Sequence, residues 1–133
     1  MPTVPLAAQA IGVTPQDIIK SVLFSAADGR AVLAIPSGTS RIDRALLSKA
    51  SGVPNLKLAD PNTVLRLTGY PAGGVAPVGH AEPIPVVVDR RVLALPVVFG
   101  GGGEEAVLLR IAPADIIALT GAEVADIVAN EPA

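Results

Sequence analysis

Apolar residues in this chain come in short blocks, each closed off by Gly, Pro, Asp or Ser, and the spacing within each block predicts its element. Val4 to Ile11 is Ala-rich and stops at Gly12, which predicts a short helix. Thr14-Pro15-Gln16-Asp17 is a second helix start, with Thr as N-cap, Pro at the first position and Asp in the first turn. That helix must be brief, because Ile19 to Ala26 reads as a strand. Asp28-Gly29 is a hairpin turn and Ala31 to Ile35 the returning strand, closed by Pro36-Ser37-Gly38. Ile42 to Ala50 is an amphipathic helix, with Ile42, Leu46 and Leu47 on one face and Arg41, Arg44 and Lys49 largely off it. Leu56 to Ala59 is a short strand. Asp60-Pro61 then opens a helix through Leu67 that Gly69 ends.

Further on, Ile84 to Val88 and Leu95 to Phe99 are continuous apolar runs, the pattern of strands covered on both faces. A turn over Gly100 to Gly103 follows, then a strand over Ala106 to Ile111 and a helix over Pro113 to Leu119 with Gly121 behind it. Val124 to Val128 supplies a last edge strand. Strands and helices alternate irregularly and include a hairpin. The expected fold is therefore one α/β (or α+β) domain over residues 1–133, with a mixed sheet and short flanking helices.

Between the two halves lies Thr68-Gly69-Tyr70-Pro71-Ala72-Gly73-Gly74-Val75-Ala76-Pro77-Val78-Gly79-His80, with four glycines and two prolines. No helix or central strand can run through it. Two readings are open: a rigid loop whose bare amides recognise a ligand or an oxyanion, or a tight surface loop.

Composition narrows the chemistry. Half of the residues are hydrophobic, yet only Phe24, Tyr70 and Phe99 are aromatic, so Val, Leu, Ile and Ala must build the core. No cysteine is present, which excludes disulfides and thiolate metal sites. A single histidine, His80, argues against a histidine zinc site or a Ser-His-Asp triad. We expect no metal and no cofactor. No apolar run approaches the roughly 20 residues that span a membrane, and no basic-then-apolar signal opens the chain, so no membrane association and a cytoplasmic location are expected. The net charge of −2 argues against broad, sequence-independent binding to a polyanion but leaves room for gripping a short single-stranded end. Arg41, Arg44 and Lys49 form either a small local patch for that purpose or an ordinary solvated helix face.

Four further positions invite chemistry. Lys20 sits at the entrance of a strongly apolar strand, either snorkelling to the surface or aimed into a pocket where it would meet a phosphate, carboxylate or carbonyl. Gly100 to Gly103 follow a strand as a phosphate loop does. Yet no Gly-Lys-Ser/Thr follows, and Glu104-Glu105 would repel a nucleotide phosphate. Asp89 ends a buried strand, facing a cleft or capping a turn. His80 follows the last loop glycine.

In their order and spacing these pieces resemble the YbaK / prolyl-tRNA-synthetase-associated editing family. The matching residues are Ala7-Ala8, Gly12-Val13, Ile18-Ile19-Lys20-Ser21-Val22, Ser37-Gly38, Arg41-Ile42-Asp43, and Thr68-Gly69-Tyr70 with Gly73-Gly74-Val75-Ala76-Pro77-Val78-Gly79-His80. Val88-Asp89, Gly100 to Gly103, Ala112-Pro113-Ala114-Asp115, Thr120-Gly121-Ala122 and Val124-Ala125-Asp126 complete the set. The resemblance implies a mixed, partly barrel-like sheet and hydrolysis of the ester joining a wrong amino acid to the tRNA 3′ end, with alanine or cysteine on proline tRNA the familiar cases. The family's lysine falls on Lys20 and its Gly-x-x-x-Pro loop on Gly73 to Pro77.

It implies, then, a catalytic set of Lys20, Gly73, Gly74 and Pro77, and a substrate-binding set of Gly79, His80, Asp89, Gly101, Gly102 and Arg41. Lys20 would anchor the terminal adenosine's phosphate or the ester carbonyl. Amides around Gly73 and Gly74 would hold the oxyanion, and the ribose hydroxyl would orient the water. The implied partners are the 3′ CCA end of aminoacyl-tRNA and an aminoacyl-tRNA synthetase, with the chain a monomer or a weak dimer. Members usually begin with a further helix and strand, expected to be absent here. Cysteine-clearing relatives carry a serine near Gly101 where this chain has glycine. Two other functions stay open: a non-catalytic tRNA- or synthetase-binding module of this fold, and an unrelated small-molecule-binding domain with structural glycines.

Overall fold

The computed structural model describes residues 9–103 and 108–129. Its elements are β1 (Val22–Ser25), β2 (Ala31–Ile35), α1 (Arg44–Ser51), β3 (Lys57–Leu58), α2 (Pro61–Thr68), β4 (Val86–Asp89), β5 (Val98–Gly101), β6 (Leu108–Ile111), α3 (Pro113–Thr120) and β7 (Glu123–Ala125), with 3-10 turns at Pro15–Asp17 and Arg90–Ala94.

Five strands form a mixed sheet in the order β3-β1-β2-β4-β7. β1 runs antiparallel to both β3 and β2, and β4 runs parallel to β2 and to β7. β5 and β6 form a second, antiparallel pair. The two sheets meet at Ile18 and Ile19: Ile18 bridges Phe99 in parallel and Ile19 bridges Ser37 antiparallel. The chain upstream of β1 is thus shared by both sheets.

Alternation along the strands explains the two cores. Register runs unbroken from the Ile19–Ser37 bridge to the Ser25–Ala31 pair. Ile19, Leu23, Leu33, Ile35, Val86 and Val88 therefore share one face, packed with Val75, Val98 and Ile116. Phe24, Val32, Ala34 and Val87 share the other, under Leu47 of α1. Leu47 and Ile116 are fully buried; each contributes about 1.5–3 kcal/mol of transfer free energy.

The helices start and stop where their punctuation directs. Asp43 accepts from the amides of Ala45 and Leu46, Asp60 from that of Thr63, and Gly52 ends α1 in the left-handed region. The hairpin, α1 and α2 lie close to their expected spans, and β7 is the expected edge strand, though shorter. The amino-terminal helix is described only over Gln9–Ile11, ahead of Gly12; its earlier part lies outside the described residues, as does Ala106 in the expected strand ending at Ile111.

Two expectations are corrected. Leu95 to Phe99 is not one strand: Asp89 caps the 3-10 turn Arg90–Ala94, Leu95 donates back to Val92, and Pro96 delays pairing until Val98. Nor are Gly100 to Gly103 simply a turn, since Gly100 and Gly101 are strand residues paired with Leu109 and Leu108.

Candidate active site

The glycine-rich segment becomes a rigid loop because its base is laced shut. Thr68, fully buried at the end of α2, donates its hydroxyl to Val64 O at 2.7 Å and accepts from Tyr70 N–H at 3.0 Å. Across the base, Ala81 N–H donates to Thr68 O and Glu82 N–H to Leu67 O, both at 3.0 Å. Inside the loop, the Tyr70 hydroxyl lies 3.0 Å from Val78 O and 3.1 Å from Gly79 O, tying its two arms together. His80 adds a second tie, Nε2 to Ala76 O at 2.8 Å. A carbonyl only accepts, so Nε2 carries the proton.

The second glycine segment packs directly on the first. A Cβ built on Gly101 would run into Val75 O, with Val75 C at 2.9 Å and Gly74 C at 3.2 Å, so the two backbones touch and no side chain fits between them. Gly103 N–H donates to Gly74 O at 3.0 Å, and Gly103 lies against the Tyr70 ring. At Gly100 a Cβ would meet the Ile19 side chain at 3.1 Å and Pro77 Cδ at 3.5 Å. At Gly100, then, Pro77 of the loop and Ile19, the residue before Lys20, come together.

Lys20 itself is exposed, with its amide held by Pro36 O at 3.1 Å. By the register its side chain leaves on the face of Val22 and Phe24, whereas Ile19 and Val75 of the loop share the other face. On the outer edge of this strand β5 bonds at Ile19 and the β3 end bonds at Leu23. Between them the Ser21 main chain has no strand partner among the described residues. The result is a notch in the wall next to Lys20. The Ser21 hydroxyl is also buried there without a hydrogen-bond partner among the described residues.

The remaining candidates separate. Gly79 and His80 stand against Tyr70, and the Tyr70 and His80 rings meet edge-on at 6.2 Å. Gly102 lies between the two backbone contacts of its neighbours. Arg41 is exposed on the loop before α1, its carbonyl accepting from Ala129 N–H at 2.8 Å. Of the two readings of Asp89, the structure gives the cap. The residue is 2% exposed, one carboxylate oxygen takes Arg91 N–H at 3.2 Å, and the other takes Ile127 N–H at 3.1 Å. The substrate-binding role is corrected for that reason. Gly74 N–H is likewise spent on Pro71 O at 2.8 Å. Among the described residues no hydrogen bond engages the amides of Gly73, Val75 or Ala76.

Tyr70, Thr68 and Ser21 were not singled out for a role from sequence. Their signals were a rare aromatic placed inside a glycine loop and a serine set in an otherwise apolar strand. The widest surface hollow lies elsewhere, between Gly79–Val86 and Leu119–Thr120 at the end of α3. It touches His80 but neither Lys20 nor Gly73–Pro77, and it is a broad groove, so the site is assigned from backbone geometry.

The model of one family, the aminoacyl-tRNA editing domain, matches residues 1–119. The chain belongs to the aminoacyl-tRNA editing domain family. This editing domain is 36% identical over 93 residues to a proline–tRNA ligase of Desulfotalea psychrophila, covering 70% of this chain and 16% of the ligase. It is 24% identical over 124 residues to EbsC of Enterococcus faecalis, a proposed Cys-tRNA(Pro)/Cys-tRNA(Cys) deacylase, covering 93% of this chain and 76% of EbsC. A crystal structure of a proposed trans-editing enzyme for prolyl tRNA synthetase superposes with a TM-score of 0.88 at 41% identity, over 96% of this editing domain and 80% of that chain. The chain spans under a fifth of the length of the proline–tRNA ligases it matches. Among the described residues no helix is long and apolar enough to cross a membrane.

Proposed function

We propose that this editing domain acts in trans as a deacylase of mischarged aminoacyl-tRNA, cleaving the ester that joins a small amino acid such as alanine or cysteine to the 3′ CCA end of a tRNA, with proline tRNA the first candidate. The carrying observation is the locked glycine loop, in which the amides of Gly73, Val75 and Ala76 have no hydrogen-bond partner among the described residues, and whose Pro77 meets Ile19, the neighbour of Lys20, at Gly100. An aminoacyl ester is already activated, so water attacks it once the carbonyl oxygen has donors to receive its charge. Fixed amides supply those donors without reorganising. Lys20 contributes a cation for the terminal phosphate or the ester carbonyl, and the tRNA's own ribose hydroxyl orients the water. Because Gly74 N–H is spent on Pro71, Gly74 serves the loop's shape, while Gly73 and the residues after Gly74 face the oxyanion. Pro77 holds the loop against Gly100. The family membership and the activities proposed for EbsC and for the trans-editing structure support this reading.

The test is a deacylation panel of mischarged tRNAs, with wild type beside Lys20→Ala. Wild type should hydrolyse at least one small-amino-acid ester. Loss of Lys20 should cut kcat by about 10²–10³, the range for removing one transition-state donor. Tight tRNA binding with no turnover by wild type would replace the hydrolase by a non-catalytic module of the same fold. Unaltered turnover in Lys20→Ala would remove the lysine from the mechanism.

A further inference from the structure

Charge is divided along this chain more sharply than its net value of −2 suggests. Residues 1–66 hold seven of the ten Lys and Arg but four of the twelve Asp and Glu, whereas the remainder holds three and eight. Each of those four early acids is engaged locally. Asp17 accepts from Thr14, Asp28 pairs with Arg30, and Asp43 and Asp60 cap α1 and α2. The fold then gathers the early cations. Arg44 and Lys57 line opposite sides of one open cleft between α1 and the segment before β3, with Ser48 and Asn55 between them. Both are exposed, as are Arg41 just before α1 and Lys49 in its last turn. None of the four is paired with a carboxylate among the described residues. Lys20 leaves the sheet on this same α1 face. Glu82 and Glu123 line two other hollows at the end of α3, the second of which also touches Ala50 and Ser51 of α1.

We propose that the cleft between α1 and β3, walled by Arg44 and Lys57 and flanked by Arg41 and Lys49, is a docking track for the RNA phosphate backbone leading to Lys20. This rests on the editing reading above, and names the face across which its substrate lies. Complementarity of charge argues for RNA. The cations are solvated, unpaired and spread along a face rather than focused on one point, which suits a line of phosphates. Polar Ser48 and Asn55 give the cleft a floor that a wet, phosphate-directed contact tolerates.

The experiment titrates wild type with an uncharged, fluorescein-labelled acceptor-stem hairpin ending in CCA, followed by anisotropy across a salt series. Arg44→Glu/Lys57→Glu is compared with Arg66→Glu/Arg91→Glu, which makes the same charge change at exposed positions on α2 and in the turn after β4. The cleft double variant should bind at least tenfold more weakly, with the slope of log K against log salt reduced by about two units; the control should stay within about threefold of wild type. Thermal melts check folding, and Arg44→Gln/Lys57→Gln gives a milder change in the same direction. Equal losses in both double variants, no loss in the cleft variant, or no hairpin binding by wild type would overturn the track. Deacylation separates it from the editing reading. A raised KM with unchanged kcat in the cleft variant supports both. A wild type inactive on every ester, whose hairpin binding still depends on Arg44 and Lys57, retains the track and discards the hydrolase.

Discussion

Two glycine-bearing connections in this molecule look alike in sequence and do opposite things. The Asp28-Gly29 turn joins β1 to β2 at the surface. Its glycine has φ +92°, and a Cβ placed there would meet nothing within 4 Å. The turn's side-chain tie is the pair between Asp28 and Arg30 at 2.8 Å. The loop through Gly73 and Gly74 is held at its base by Thr68, across its arms by Tyr70 and along one side by Gly101. In the turn, glycine supplies a backbone angle. In the loop and its partner strand, glycine supplies the absence of a side chain, so that two main chains touch and neighbouring amides stay bare. Only the second use builds a binding surface.

The sharpest way to break this contrast is Gly101→Val. With no room at Val75 O, the loop must lift off β5. We expect a loss of about 3 kcal/mol or more, at the upper end of overpacking costs, together with loss of deacylation; urea denaturation and turnover check both. Next comes Gly29→Ala, a strain of conformation without collision, expected to cost about 1–2 kcal/mol and to leave turnover intact. Tyr70→Phe removes one shared donor from the loop's arms. It should cost about 1 kcal/mol yet lower turnover, so hydrogen exchange should rise in Ala72–Gly79 and not in the hairpin.

The smallest expected effect is on pH. The Arg30 amide, and then its guanidinium, hold the Asp28 carboxyl below its ordinary value of 3.8. A depressed folded pKa gives stability that is complete above the unfolded value and fades as pH falls through the lower folded one. Asp28→Asn should therefore lower Tm slightly at pH 7, and the gap from wild type should close as pH falls through the depressed folded value. A gap that persists in acid would show that the carboxylate's charge is irrelevant to the turn.

Much of this was legible in the sequence where local chemistry decides structure. The cap at Asp60 and the Asp28-Gly29 turn each depend on neighbours within a few residues. Lys20 and the glycine loop were visible as candidates. What could not be read were the long-range matches: that Gly101 is a strand residue because Val75 lies on it, that Asp89 spends its second oxygen on Ile127, and that Gly74 N–H turns back to Pro71. The first two depend on which backbone arrives from elsewhere in the chain, the third on how the loop folds on itself, and composition carries no record of either. The overshoot at Leu95 has the same origin, since an apolar run cannot show that a capped turn interrupts it.

The bridge between Ile18 and Phe99 has a consequence in time. The hairpin partners Val22 and Ala34 are a dozen residues apart, whereas Ile18 and Phe99 are separated by about eighty, and closing the longer loop costs roughly 2 kcal/mol more chain entropy. The hairpin is thus expected to form early. The seam between Ile19 and Phe99 must wait for β5 to be made and to dock. On a ribosome, the first half of the site emerges well before the second. The chain would then gain its chemistry in one late step, when Phe99 reaches Ile19, rather than gradually as its core consolidates.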